Sequence, residues 1–205
     1  MVKKSIFSII SILAVLGMGL STAFADTSQS FQMGAGVSES ISLAMDIFET
    51  NVISEATKVT SGVMNFGNLV YDESSQTYYG GTYFTVVFWP SSNSGTQWQL
   101  KMSAGSLTDA STGETLPDGA CIYDPWGTDH NGAAFPTGSV KGTRGSIVGT
   151  DQVLFTSNST GTYTSVPVTF IISNNPSAGA TEFITNNQRA GTYETTVVVN
   201  MTAAA

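Results

Sequence analysis

Residues 190–205 read AGTYETTVVVNMTAAA, and this stretch decides the fold class. Gly191 marks a turn, and the side chains that follow it alternate between two faces. One face of the predicted strand carries Tyr193, Thr195, Val197, Val199 and Met201. A period of two is typical of a β-strand with one buried face. The stretch therefore predicts a C-terminal strand that closes a β-sandwich.

Similar short strands recur upstream, separated by turn-forming clusters of Ser, Asn, Asp and Gly. We expect strands within 41–47, 59–70, 82–89, 97–103, 152–156 and 167–173. The stretch 59–70 is expected to be broken by Gly62 and Gly67. Pro90 is expected to end the strand that begins at Thr82, because proline cannot donate to a sheet ladder. Gly-Thr-Tyr occurs at 81–83, 161–163 and 191–193, and we interpret it as a reused turn-to-strand device. Many short strands with turns between them predict an all-β, Ig-like antiparallel sandwich.

The N-terminus has the pattern of a secretory signal peptide. Lys3 and Lys4 precede an apolar run, and Ala23 and Ala25 give a small-x-small cleavage site. The prediction is a signal peptide at 1–25, an arm at 26–38 and one domain at 39–205. The apolar run is shorter than the roughly 20 residues of a membrane-spanning helix.

Composition and charge narrow the function classes. Removing residues 1–25 leaves five of the seven basic residues and all fifteen acidic ones, so the net charge falls from −8 to −10. An acidic surface argues against nucleic acid and anionic membranes as partners. Cys121 is the single cysteine of the chain, so no intramolecular disulfide can form. We expect it to be buried as a small apolar side chain.

The arm continues the alternation of the first domain strand. Eight of the nine odd positions from Phe31 to Ile47 are apolar, but a strand this long should break, and Gly34 and Gly36 offer the place. An alternating arm can pair along an open sheet edge of another subunit, with Phe31, Met33 and Val37 as the strand-donor residues. The alternative is an arm that packs on its own domain or is a loose leader.

Residues 106–149 show little periodicity and are expected to form a long irregular insertion. Its centre carries oxygen side chains that suit Ca2+, namely Asp118, Asp124, Asp129 and Asn131. Asp124 and Asp129 are also candidates for the acid and base of a hydrolase, and His130 for a base or ligand. The remaining interpretation is a polar loop whose Asp and Asn side chains cap their own backbone.

Aromatic side chains raise a binding alternative. Trp126, Tyr78 and Tyr79 are candidate glycan contacts of a carbohydrate-binding module. Trp98 is in phase with Leu100 and is predicted to lie in the core, and Trp89 is predicted to lie there too.

Two patches carry a family resemblance: Met64 to Leu69, reading MNFGNL, and Ala190 to Tyr193, reading AGTY. With the signal peptide and the arm, they make the chain resemble bacterial pilin-like proteins, including spore-coat-U-type and chaperone–usher fimbrial subunits. The resemblance implies a non-enzymatic structural or adhesive subunit of the periplasm, cell surface or medium. It implies assembly by strand addition, with itself, other surface subunits or glycans as partners and no cofactor. The alternatives are a carbohydrate-binding module and a secreted hydrolase.

Overall fold

The computed structural model describes residues 40–204, and almost all of their regular structure is β. The predicted signal peptide and the strand-donor residues lie outside the described residues. Two short 3-10 turns occur at Glu55–Thr57 and Pro176–Ala178. The strands are β1 (Ile41–Glu49), β2 (Lys58–Val59), β3 (Val70–Asp72), β4 (Thr77–Tyr79), β5 (Tyr83–Ser92), β6 (Trp98–Ala104), β7 (Thr108–Asp109), β8 (Cys121–Pro125), β9 (Val140–Lys141), β10 (Gly145–Ser146), β11 (Gly149–Thr156), β12 (Val166–Ile172), β13 (Ile184–Thr185), β14 (Tyr193–Glu194) and β15 (Val197–Ala203).

The larger sheet is antiparallel and has the strand order β10-β8-β12-β5-β1-β2. Its centre is β5, which pairs along its length with β1 from Glu49↔Phe84 to Ile41↔Ser92. On its other side β5 pairs with β12. Successive side chains of these strands point to opposite faces, so Phe84, Val86 and Phe88 all face the same way. This parity places these three side chains on the core side.

The second sheet has the order β15-β6-β11-β9, again antiparallel. In it β15 pairs with β6 from Val197↔Ala104 to Ala203↔Trp98. The inner side chains of β6, Trp98, Leu100 and Met102, are almost fully buried. They share one core cluster with Val86, Phe88 and Phe170 of the larger sheet. Two sheets with a common apolar core form a sandwich-like, all-β architecture, as the sequence predicts. An Ig-like topology stays a prediction.

Two small sheets complete the described residues. One has the order β13-β4-β3, and the other pairs β14 with β7 through Tyr193↔Asp109. The predicted final strand is therefore split: a two-residue piece at Tyr193 is separated from β15. The alternation itself is confirmed, because Tyr193, Val197, Val199 and Met201 all pack against the core. Two of the three Gly-Thr-Tyr segments open a strand at their tyrosine, at Tyr83 and at Tyr193.

Pro90 does not end β5, and here the prediction was wrong. The strand runs on to Ser92, with Pro90 opposite Leu43 of β1. Pairing between β5 and β12 ends at Phe88↔Val166. Beyond Phe88, β5 therefore pairs with β1 alone. The N–H group that Pro90 lacks would face the other side, where no neighbouring strand needs a hydrogen-bond donor.

The region 59–70 is broken, as the sequence predicts, and no strand lies between Val59 and Val70. β2 ends at Val59 and β3 begins at Val70, and the chain between them is irregular. Gly62 and Gly67 have φ angles of 70° and 64°. These left-handed conformations interrupt a strand and are accessible to glycine at little cost. The glycines, rather than the apolar residues between them, decide the local structure.

The segment 106–149 contains more structure than an irregular insertion. It includes β8, which lies inside the larger sheet between β10 and β12. The register joins Cys121 to Ile172 and Tyr123 to Phe170. β8 has only five residues, and two of them are Asp124 and Pro125. Its sequence therefore shows little of the apolar–polar alternation that predicts a strand. Their strand conformation depends on pairing with β12, which is distant in sequence.

Gly142 marks a close crossing between the chain after β9 and β11. Its N–H donates to the carbonyl of Leu154 at 2.8 Å, and an added Cβ would lie 1.9 Å from the carbonyl oxygen of Val153. Gly142→Ala should therefore lower the free energy of unfolding by about 1–3 kcal/mol, as overpacking does. Urea unfolding measures the change.

Gly127→Ala is the matched control, because a Cβ there meets no atom within 4 Å. We expect its unfolding free energy to stay within about 0.5 kcal/mol of the parent. Equal stability of both variants would contradict the crossing geometry.

Candidate functional site

The described residues form a cavity of about 1070 Å³ that is lined by strands of both sheets. On one side it is lined by Met45 and Ile47 of β1, and on the other by Val197 and Val199 of β15. Its floor is apolar and comes from strands of the larger sheet and nearby segments: Val86, Phe88, Leu107, Leu116, Cys121, Ile147, Phe170, Ile172 and Ile184. We call this space the groove.

The inner row of β1 is only partly covered. Ile47 is 6% exposed, but Met45 and Ile41, which point the same way, are 55% and 47% exposed. On β15 the inner residues Val197 and Val199 are half-buried, whereas Met102 of the neighbouring β6 is completely buried. Both rows therefore leave apolar surface exposed along the groove. Each Å² of such surface costs about 25 cal/mol relative to burial.

The backbone edges beside the groove are also open. β1 pairs fully with β5, but on its other side β2 meets it only at Ile47 and Phe48. β15 pairs with β6 and is the end strand of its sheet. Among the described residues, each edge thus offers backbone N–H and C=O groups to a further strand. The open backbone edges of β1 and β15 and their exposed apolar rows therefore lie together beside the groove.

Two loop walls complete the groove, and they contain the two patches of the family resemblance. The first wall, residues 62–69, carries the MNFGNL patch, and the second, residues 188–196, carries the AGTY patch. The sequence did not indicate that these patches face one space, because 120 or more residues separate them along the chain. Phe66 of the first wall contacts Phe84 of β5 edge to face, with ring centroids 5.0 Å apart.

The second wall is firmly tied to residues 105–115. Thr195 donates its hydroxyl to the carbonyl of Gly105 at 2.9 Å, and the Gln188 amide donates to the carbonyl of Thr115 at 3.2 Å. A Cβ on Gly191 would lie 2.0 Å from Oδ2 of Asp109, so this position of the AGTY patch requires glycine. Hydrogen bonds from Ser111 hold the pKa of Asp109 below its usual range. The carboxylate is thus kept ionised beside the wall.

Cys121 lies on the floor of the groove and is buried, as the sequence predicts. Burial raises the pKa of its thiol to about 12. A neutral thiol in an apolar wall packs as a small hydrophobic side chain. Reactivity is therefore suppressed while the groove keeps its described shape.

The oxygen side chains of the middle segment do not converge. Oδ1 of Asp129 accepts the backbone N–H groups of Asn131 and Ala133, which is the capping role expected of a polar loop. Oδ2 of Asp124 lies 3.9 Å from the Arg144 guanidinium. The carbonyl of Asp118 accepts the Ser146 hydroxyl. Within residues 40–204, no group of three or more His, Cys, Asp or Glu side chains is placed to hold a metal ion.

His130 is part of a different cluster. Its Nδ1 lies 2.7 Å from Oγ of Ser165, and its ring packs against Trp89 with centroids 4.5 Å apart. Trp89 donates its Nε1–H to Oδ2 of Asp46 at 3.1 Å. The prediction of a core position was therefore wrong for Trp89, because its indole lies on the outer face of the larger sheet. Trp98 is in the core, as predicted.

The three candidate glycan residues do not form one platform. Trp126 lies on the outer face of the larger sheet, where its Nε1–H donates to Oγ1 of Thr169 at 2.9 Å. Tyr78 instead lines the groove, and its ring is 5.0 Å from that of Tyr71. Tyr79 alternates with Tyr78 along β4 and points the other way. The pattern of aromatic residues could not show this separation, because it depends on which sheet each strand joins.

Cys121 should be almost inert toward a thiol reagent in the native protein. At about pH 8, a pKa of about 12 leaves roughly one thiolate in ten thousand, and burial blocks the reagent. We expect labelling by DTNB to be at least about a hundredfold slower in buffer than in urea above the unfolding transition. Rapid native labelling would show that the groove floor is accessible.

No helix among residues 40–204 is long and apolar enough to cross a membrane. No protein-family model matches the chain, and no curated protein or solved structure shows significant similarity to it. Function is therefore inferred from the groove, its edges and the sequence pattern.

Proposed function

We propose that the chain is a secreted structural subunit of a surface filament or coat that assembles by strand addition. The arm of one copy adds as a β-strand to the groove of the next. One observation carries the proposal: exposed apolar rows of β1 and β15 lie beside open backbone edges of the same strands. Such a groove accepts an extended segment with alternating apolar side chains.

The chemistry of the groove favours a peptide strand over a small apolar molecule. A volume of about 1070 Å³ lies at the upper end of the range for ligand pockets. An apolar molecule would cover the side chains but would leave the edge N–H and C=O groups of β1 and β15 unpaired. A strand satisfies both requirements, because its backbone pairs with an edge while alternate side chains point inward.

The arm has the length and the pattern that the groove requires. β15 presents seven residues, Val197–Ala203, and residues 31–37 are also seven. At about 3.3 Å per residue, both span roughly 23 Å. Phe31, Met33 and Val37 share one face of an extended arm with the small Ala35 between them. These side chains would replace water along the exposed inner rows.

The compartment and the composition support a structural role. The predicted signal peptide directs the chain out of the cytoplasm, and a single buried thiol makes folding independent of disulfide formation. Charged residues make up only 11% of the chain, so few charges have to be buried where subunits come into contact. These features support a subunit that folds alone and then assembles.

Deleting residues 27–37 should abolish filaments while leaving a folded monomer, because the deletion removes the donor strand and none of the described sheets. Electron microscopy and circular dichroism measure the two outcomes. Filaments of normal length after the deletion would contradict strand donation. The deleted subunit keeps its groove, so a substoichiometric amount mixed with the parent should shorten filaments by capping one end.

A single charge offers a sharper test. Met33→Asp places a carboxylate on the inward face of the arm, where its burial without a partner is strongly unfavourable. Gln32→Asp adds the same charge one position away, on the outward face. We expect Met33→Asp to reduce filament yield at least about tenfold, the effect of 1.4 kcal/mol, and Gln32→Asp to assemble normally. Equal filament yields from the two variants would show that assembly does not depend on which face of the arm carries the charge.

A further inference from the structure

The groove is too narrow at one point to accept a strand as it stands. Cα atoms of β1 and β15 come within 8 Å of each other. A strand inserted between two neighbours needs them roughly 9.5 Å apart, twice the usual spacing. The groove must therefore widen before a strand can enter, and residues 62–69 and 188–196 are the two loop walls that line it.

The two loop walls differ in how they are held. The second wall is tied to residues 105–115 by Thr195, Gln188 and the β14–β7 pairing. Hydrogen bonds of the first wall are local within the described chain: Val63 N–H to the Ser61 hydroxyl and Gly67 N–H to the Asn65 side chain. Its attachment to the fold is apolar, through Met64, Phe66 and Leu69. Apolar contacts without directional bonds can separate and reform without leaving a buried polar group unpaired.

The first wall also has a glycine at each end of residues 62–67. Gly62 and Gly67 have left-handed φ angles, and a Cβ on either would meet no atom within 4 Å. Open space around both residues allows the backbone to change direction without a clash. Before Gly62 the chain is held by the pairing of β2 with β1 at Ile47 and Phe48. Rotation can therefore begin at Gly62 and end at Gly67.

We propose that residues 62–67 form a gate, closed in the free subunit by Phe66 packing on Phe84 and opened to admit the incoming strand. This inference rests on the proposed function for its purpose, but the opening itself belongs to the single subunit. Val63 is 60% exposed, so the gate is held mainly from its inner side. Phe66 is the latch, and the two glycines are the hinges.

Cys121 reports on the gate without any assembly, because it lies on the groove floor and reacts only when the groove opens. DTNB labelling of the full mature chain is followed at concentrations where light scattering shows monomers, from zero urea up to the unfolding transition. Gly67→Ala strains the closed gate, and its labelling should rise by roughly five- to thirtyfold, the range for a left-handed alanine. The rate should depend little on urea below the transition, because gate opening exposes little surface.

Gly113→Ala is the matched control. Gly113 has a φ of 76° and equally free surroundings, but it lies beside the anchored second wall. The DTNB labelling rate of Gly113→Ala should change only as much as the loss of global stability explains, and the shift of its urea unfolding midpoint measures that loss. Phe66→Ala, which removes the latch, should accelerate labelling like Gly67→Ala.

The gate would be refuted if labelling followed global unfolding in every variant, or if Gly113→Ala accelerated it as much as Gly67→Ala. Failure of the proposed function gives a different result. Gate-dependent labelling without filaments would leave the gate intact and remove strand addition as its purpose. Filaments with labelling that tracks global unfolding would keep strand addition and remove the gate.

Discussion

The structure depends on one constraint: β1 and β15 each have a full-length partner on one side only, and a further strand on their other side would complete the sandwich. β5 and β6 bury their inner rows because strands lie on both sides of them. β1 and β15 each have a full-length neighbour on one side only. Sheet edges of this kind attract other strands, and proteins normally shorten, charge or cover them. In this chain the inner rows of both edges remain apolar.

The same constraint explains where the loops lie. Residues 62–69 and 188–196 line the groove and cover part of what a missing strand would cover. One wall is tied by directional hydrogen bonds and the other by apolar packing, which is the asymmetry on which the proposed gate depends. A groove that is covered but not filled limits nonspecific pairing of subunits. It also keeps the edge available for a segment of the right pattern.

Local alternation was sufficient to predict the strands that bury one face. The odd-position pattern up to Ile47 predicted β1, and Val197, Val199 and Met201 predicted β15 with its correct inner face. β8 was not predictable in this way, because its strand conformation depends on β12 across about 45 residues of chain. The groove could not be predicted from the sequence either, because the exposure of Met45 depends on which strands lie beside β1 and not on the residues near it in the chain. The sequence pattern therefore identifies which face of a strand is buried. The pairing partners of a strand and the space left between the sheets are decided by the tertiary structure.

Under the proposed strand addition, an incomplete sandwich links stability to assembly. Burying the exposed rows of β1 and β15 under a donated strand adds apolar contacts that the free subunit lacks, and each bound segment stabilises the folded state by mass action. Because the thiol of Cys121 and the side chains of Met45 and Val199 line the same groove, the donated strand would protect all three together. Opening of the gate costs only part of the contacts of Phe66 and Met64, whereas closure over a strand is favoured by a full row of apolar side chains and a ladder of backbone hydrogen bonds. The balance favours a subunit that is stable when alone, slow to pair nonspecifically, and more stable once a neighbour supplies the strand.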